Sequence, residues 1–179
     1  MIAYAITDPT TLDFNNLSID LERFSKRADM IVYRDKTIDD YSTRAKEFIK
    51  SAKGYDFDKI LIHQDIDLAC LLKADGVHLT SSQFGSIVKA KFFKLFTVVS
   101  THTLSEVKEA EKLGADMITF SPIFKTPNKK EPKGLKVLKE ITSRTNIPVI
   151  ALGGVLTDKQ IEDCIKCGAY GFASIRYFA

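Results

Sequence analysis

The stretch Ile147-Pro148-Val149-Ile150-Ala151-Leu152-Gly153-Gly154-Val155, with Cys167-Gly168-Ala169-Tyr170-Gly171-Phe172-Ala173-Ser174-Ile175-Arg176 close behind it, decides how this chain is read. The first segment is a largely β-branched run, too short for a helix and opened by Pro148. It ends in two glycines, where a backbone turns sharply or approaches a ligand. The second segment repeats that pattern. Two such strands read as the seventh and eighth of a (β/α)8 barrel, whose loops at this place hold an anion on backbone N–H groups. Gly153 and Gly154 supply the first donors, and Arg176 adds a guanidinium that can grip phosphate with two parallel hydrogen bonds. A glycine pair standing alone would merely turn strand into helix; its place after a seventh strand favours phosphate.

Upstream, strand-like and helix-like segments alternate, which predicts an α/β fold with a parallel sheet. Strands are expected at Ile2 to Thr7, Met30 to Arg34, Lys59 to His63, Gly76 to Leu79, Leu95 to Ser100, Met117 to Phe120, Pro148 to Leu152 and Gly171 to Ile175. Helices are expected at Ser18 to Arg27, Asp39 to Ala52, Ile66 to Lys73, Ser82 to Lys91, Ser105 to Leu113, Leu135 to Arg144 and Asp158 to Lys166. The whole chain, residues 1–179, thus reads as one TIM-barrel domain lacking the last outer helix. A subunit partner or crossing loop is expected over that gap, and a self-complementary contact there would make a homodimer.

With 179 residues and 45% hydrophobic content, one domain with a substantial core is expected. A net charge of +3 suits a binder of small anions, but the lysines are scattered and no basic, aromatic-interleaved patch points to nucleic acid. No apolar run reaches membrane-spanning length and Met1-Ile2-Ala3-Tyr4-Ala5-Ile6 lacks a basic leader, so a cytoplasmic location and no membrane partner are expected. Three cysteines, Cys70, Cys164 and Cys167, give no disulfide framework, and Cys164-x-x-Cys167 has no second pair to complete a zinc site. Late in a helix, that pair reads as small core filling.

Residues at the carboxyl ends of barrel strands rank first for chemistry. They are Thr7, Asp8, Arg34, Lys36, His63, Gln64, His78, Ser100, His102, Ser121 and the loop from Phe124 to Gly134. Arg34 and Lys36 fall on one side of an extended segment, suited to a diphosphate or carboxylate, although Asp35 could instead pair them in a solvated loop. The polar, glycine-ended loop Lys125 to Gly134 fits a lid over an anionic ligand, or a plain surface loop.

Asp8, Arg34-Asp35-Lys36, Asp75-Gly76-Val77-His78-Leu79, Ser100-Thr101-His102, Ser121-Pro122-Ile123-Phe124-Lys125-Thr126, Ala151-Leu152-Gly153-Gly154-Val155 and Gly168-Ala169-Tyr170-Gly171-Phe172-Ala173 occur in that order. Together they resemble the thiamine phosphate synthase / TenI (thiazole tautomerase) superfamily across nearly the whole chain. The resemblance implies a phosphate ligand: the synthase joins a pyrimidine diphosphate to a thiazole phosphate with Mg²⁺, and TenI aromatises the thiazole phosphate by moving a proton. It assigns Arg34 and Lys36 to diphosphate, Ser100 to the leaving group, Thr126 and Lys129 to the lid, and Gly153 and Gly154 to the thiazole phosphate. Departures stand beside the matches. Gln64 and Gln83 replace the synthase's two acidic Mg²⁺ ligands, Val32 replaces a pyrimidine-binding glutamine, Arg176 replaces a phosphate-binding serine, and Pro122 stands where the tautomerase has its histidine.

From these residues the favoured expectation is a TenI-like thiazole-phosphate-binding protein that needs no cofactor, with a tautomerase using a displaced base as the finer reading. His63 is the first candidate for that base and His102 the second, while His78 is read as a satisfied core residue. A divergent synthase, using Mg²⁺, and a silent thiazole-phosphate binding module are the alternatives.

Overall fold

The computed structural model describes residues 1–127 and 131–179. Eight parallel strands close into a barrel: β1 (Ile2–Ile6), β2 (Met30–Tyr33), β3 (Lys59–His63), β4 (Gly76–Leu79), β5 (Phe96–Thr101), β6 (Met117–Phe120), β7 (Val149–Leu152) and β8 (Gly171–Ser174). Each pairs with the next, and β1 meets β8 in a register running from Ile2 against Gly171 to Ala5 against Ser174. Side chains alternate across a strand, so the barrel sorts them into two layers. Tyr4, Ile6, Met30, Val32, Leu61, Val98, Met117, Ile150 and Ala173 fill the interior. Residues between them in sequence, such as Ala5, Ile31, Tyr33 and Val99, pack outward under the helices.

Seven α-helices are found among the described residues: α1 (Leu17–Ser25), α2 (Tyr41–Ala52), α3 (Ile66–Leu71), α4 (Ile87–Phe92), α5 (Leu104–Lys112), α6 (Gly134–Ser143) and α7 (Asp158–Lys166). The starts of α5 and α7 are fixed by capping boxes, Thr103 with Glu106 and Thr157 with Gln160. In α7, Ile161 and Cys164 face the core, so Cys164 fills space as expected, and all three cysteines are free thiols. The segment from Ser82 departs from expectation. It opens as a 3-10 turn, Phe84–Ser86, before α4 begins, because Gly85 is a poor helix former and Gln83 is tied back to Thr80. None of the described helices is long and apolar enough to cross a membrane.

Where an eighth helix would lie, the chain covers its own gap. A 3-10 turn, Arg176–Phe178, buries Phe178 completely against Phe172, with the two rings parallel at 5.7 Å, and against Phe24 of α1 at 6.4 Å. Arg23 of α1 donates to the Phe178 carbonyl, and the Arg27 guanidinium lies 4.5 Å from the Tyr177 ring centroid. The outer face that motivated the expectation of a partner is therefore occupied by Tyr177 and Phe178, two residues whose packing role their position in the sequence did not signal.

Candidate active site

The interior of the barrel carries a line of polar groups that ends at the mouth. In β1, Tyr4 points inward and is fully buried, with its hydroxyl 2.9 Å from Nδ1 of His78 on β4. The other ring nitrogen of His78, Nε2, lies 3.0 Å from the Ser100 hydroxyl on β5, which Thr119 of β6 also approaches at 3.5 Å. His78 is thus satisfied on both sides, as a core histidine should be, and at the same time it holds Ser100. Burial, with the neighbouring His63 and Arg34, pushes the His78 pKa down to about 3, while burial raises the Tyr4 phenol well above its ordinary value.

Around this line stand the predicted strand-end residues. Arg34 shares the inward parity of Met30 and Val32, and its backbone N–H is held by Thr7, whose hydroxyl in turn donates to the Val32 carbonyl. His63 ends β3 with its ring edge-on to His78 at 6.0 Å. Its burial, helped by the charges of Arg34 and Lys36, lowers its pKa to about 3. The imidazole chosen from sequence as a base near neutral pKa is therefore a weak base: the strand-end position was legible, the desolvation was not. Arg34, Lys36, His63, His78 and Ser100 are brought together at one side of the mouth.

His102, one step beyond β5, sits differently. Its Nδ1 is 2.9 Å from the carbonyl oxygen of Ser121, so this nitrogen carries the hydrogen in the neutral ring and Nε2 is left as the acceptor. Ser121 directly precedes Pro122, the position of the tautomerase's histidine.

On the opposite side lie the β7 and β8 loops, where a phosphate cradle was expected. Gly153 and Gly154 have φ of +96° and +70°, and a Cβ on either would come within 2.7 Å of backbone atoms, Pro122 Cα and the Lys125 carbonyl oxygen respectively. Close approach of the β6 loop alone therefore demands glycine here. The carbonyls of Leu152 and Gly153 accept from Ile123 and Phe124 of that loop. The N–H groups of Gly153, Gly154 and Val155, and those of Ile175 and Arg176, donate to no acceptor among the described residues. Ser174 ties the two loops together, its hydroxyl donating to the Val155 carbonyl at 2.8 Å and accepting from the Tyr177 N–H. This serine, missed from sequence, is recognisable only once β8 is registered against β7. Arg176 lies exposed at the start of the terminal 3-10 turn, and no contact joins its guanidinium to the glycine pair. In the lid, the Thr126 hydroxyl is spent on the Phe124 carbonyl, and Lys129 lies outside the described residues.

The two amides at the expected Mg²⁺ positions do not make a metal site. Gln83 uses its Oε1 to accept from the Thr80 N–H and hydroxyl, and its Nε2 to donate to the Gln64 carbonyl. Its amide is a staple between the β3 and β4 loops, and Mg²⁺ usually wants one or two carboxylates. Of the nearest acids, Asp65 caps α3 and Asp35 caps its own loop through Thr37 and Ile38. The donor set does not fit the ion.

The eight-stranded parallel barrel defines a (β/α)8 protein, with unspent backbone N–H groups after β7 and β8 and cations across the mouth in an arrangement that suits a phosphate. More particularly, the chain belongs to the thiamine monophosphate synthase family, whose model matches residues 3–178. It is 42% identical over 180 residues to a putative thiamine-phosphate synthase 2 of Aquifex aeolicus, covering 98% of this chain and 96% of that one. It is 36% identical over 180 residues to a thiamine-phosphate synthase of Clostridium novyi, covering 96% and 87% of the two chains. The structure of thiamine phosphate pyrophosphorylase from Pyrococcus furiosus superposes with a TM-score of 0.82 at 29% identity, covering 97% of this chain and 85% of that one.

Proposed function

We propose that this protein is a divergent thiamine phosphate synthase, joining a pyrimidine diphosphate to a thiazole phosphate. The observation that carries the reading is the pairing of Arg34 and Lys36 with two histidines, His63 and His78, whose pKa values lie near 3. This side of the mouth brings two cations, its Asp35 and Asp65 carboxylates being engaged in caps, and neither of its histidines is a base that works near neutral pH. Ligation suits such a site. The thiazole nitrogen gives its lone pair to the pyrimidine methylene carbon, the carbon–oxygen bond to diphosphate breaks, and diphosphate leaves with that electron pair. Bond formation moves no proton. In this reading Arg34 and Lys36 hold the diphosphate, Ser100 donates to its leaving oxygen, and the N–H groups of Gly153 and Gly154 hold the thiazole phosphate, with Arg176 at the rim. The names of the relatives support the same reading.

A second reading, thiazole tautomerisation, is favoured by His102 alone. Its anchoring to the Ser121 carbonyl brings an imidazole from the neighbouring strand beside Pro122, with Nε2 able to accept a proton. The deciding assay incubates the protein with both substrates and Mg²⁺, with and without chelator, and follows thiamine phosphate by its fluorescent oxidation product. Product supports ligation, and the chelator arm reports whether metal is needed despite Gln64 and Gln83. Absence of product overturns ligation. In that case conversion of the thiazole carboxylate tautomer, lost in His102→Ala, would establish the second reading, and thiazole phosphate binding without turnover would leave a silent module.

A further inference from the structure

We infer that Tyr4, at the closed depth of the barrel, is a positioning residue: by donating to Nδ1 of His78 it fixes that ring's hydrogen on Nε2 and makes Ser100 a one-way donor toward an anion in the mouth. The inference rests on the diphosphate-binding reading above for its ligand, and on hydrogen-bond bookkeeping for its direction.

Tyr4 is fully buried, and among the described residues His78 Nδ1 is the one hydrogen-bond partner of its hydroxyl, at 2.9 Å. Were Nδ1 the protonated nitrogen, the phenol hydrogen would be left buried with no acceptor, a costly state for a polar group. The phenol must therefore donate, and Nδ1 must accept. A neutral imidazole with Nδ1 as acceptor carries its hydrogen on Nε2, which then donates across 3.0 Å to Ser100 Oγ. Both groups are held in the required uncharged forms by their burial. Thr119 also donates to Ser100 Oγ, at 3.5 Å. With two donors aimed at its oxygen, Ser100 has no acceptor for its own hydrogen among the described residues, and it is the half-exposed member of the line, at the mouth. The hydroxyl hydrogen points to whatever anion enters there, and an accepted bond from His78 polarises it in the same sense. Tyr4 never meets that anion; it acts through His78, whose ring it also stacks on, with centroids 5.6 Å apart.

Two measurements test this. Long-range ¹H–¹⁵N spectra of the ligand-free wild type should show the Nε2–H tautomer for His78; an Nδ1–H tautomer, or an averaged pair, would overturn the inference. Inorganic diphosphate, titrated by calorimetry, should bind the Tyr4→Phe variant roughly two- to tenfold more weakly than wild type, the scale of one weakened hydrogen bond. Ser100→Ala should lose at least as much, and the double variant little more than Ser100→Ala alone. Unchanged diphosphate affinity in a folded Tyr4→Phe protein whose His78 keeps the Nε2–H signature would also overturn it, since Tyr4 would then fix nothing. A merely structural tyrosine would not move the tautomer. Should Tyr4→Phe fail to fold, the wild-type tautomer still decides. Wild type that binds no diphosphate would defeat the diphosphate-binding reading and the anion-facing half of this inference, while the tautomer would still report separately on the relay.

Discussion

Replacing Gly153 with alanine tests whether the cradle and the lid base are one mechanical unit. At φ +96° an added Cβ meets Pro122 Cα at 2.7 Å and Pro122 Cβ at 2.8 Å, atoms that belong to or sit directly on backbone. The left-handed conformation costs an L-residue about 1–2 kcal/mol. Forcing a packed segment aside adds about 1–3 kcal/mol. A total of about 3 kcal/mol, in a chain of this length, lowers the melting temperature by roughly 6–12 °C. Gly114→Ala is the matched control, because its φ of +84° carries the same conformational penalty with nothing within 4 Å of the new methyl. It should lose roughly 2–8 °C. Calorimetric melting gives both shifts, and titration with inorganic phosphate should show weaker binding for Gly153→Ala alone, since the displaced loop takes its bonds to Leu152 and Gly153 with it. Equal melting temperatures for the two variants would refute the reasoning: the β6 loop would then be yielding without cost.

Phe178→Ala should destabilise the protein by about 3–5 kcal/mol in urea unfolding, as for a fully buried aromatic core residue, because the ring is completely buried between Phe172 and Phe24; a loss below about 1 kcal/mol would mean that the terminal turn is not part of the core. The depressed histidines predict acid sensitivity. His63 and His78 titrate near 3 when folded, against about 6.5 for an unfolded imidazole. Between those values the unfolded chain binds more protons, so this stabilising contribution is fully present above pH 6.5 and is lost as pH falls toward 3. The urea midpoint should drop between pH 7.5 and 4.5, and His63→Asn should flatten that drop; an imidazole of His63 or His78 titrating near 6.5 by NMR would count against it.

Much of the barrel was legible because its signals are local. Short, mostly apolar runs spaced by amphipathic helices placed all eight strands to within a residue or two, and their carboxyl ends singled out Arg34 and Ser100. Strand-end position likewise found His63 and His102. What stayed hidden depends on pairs far apart in sequence. Tyr4 meets His78 across 74 residues of sequence, and Phe178 packs on Phe24 and Phe172. Desolvation of His63 comes from the packing around the end of β3, which no spacing encodes. Gly153 and Gly154 were read as ligand-facing, whereas the steric demand of the β6 loop is by itself enough to require glycine at both positions.

The two amides in the mouth bear on the chemistry in a way that sequence comparison alone obscures. A carboxylate beside a diphosphate repels it unless a cation lies between them, so acids at positions 64 and 83 would make a metal necessary for docking as well as for catalysis. Glutamines remove the repulsion together with the ligand. With Gln83 locked between Thr80 and the Gln64 carbonyl, and with His63 and His78 uncharged at neutral pH, Arg34 and Lys36 stand on this side of the mouth beside the cap carboxylates of Asp35 and Asp65. Two neutral rings beside these cations add no competing charge to a charge–phosphate contact. Losing the acids therefore does not by itself argue against ligation: in the reading proposed above, the charge of a departing diphosphate would fall on Arg34, Lys36 and the Ser100 hydroxyl.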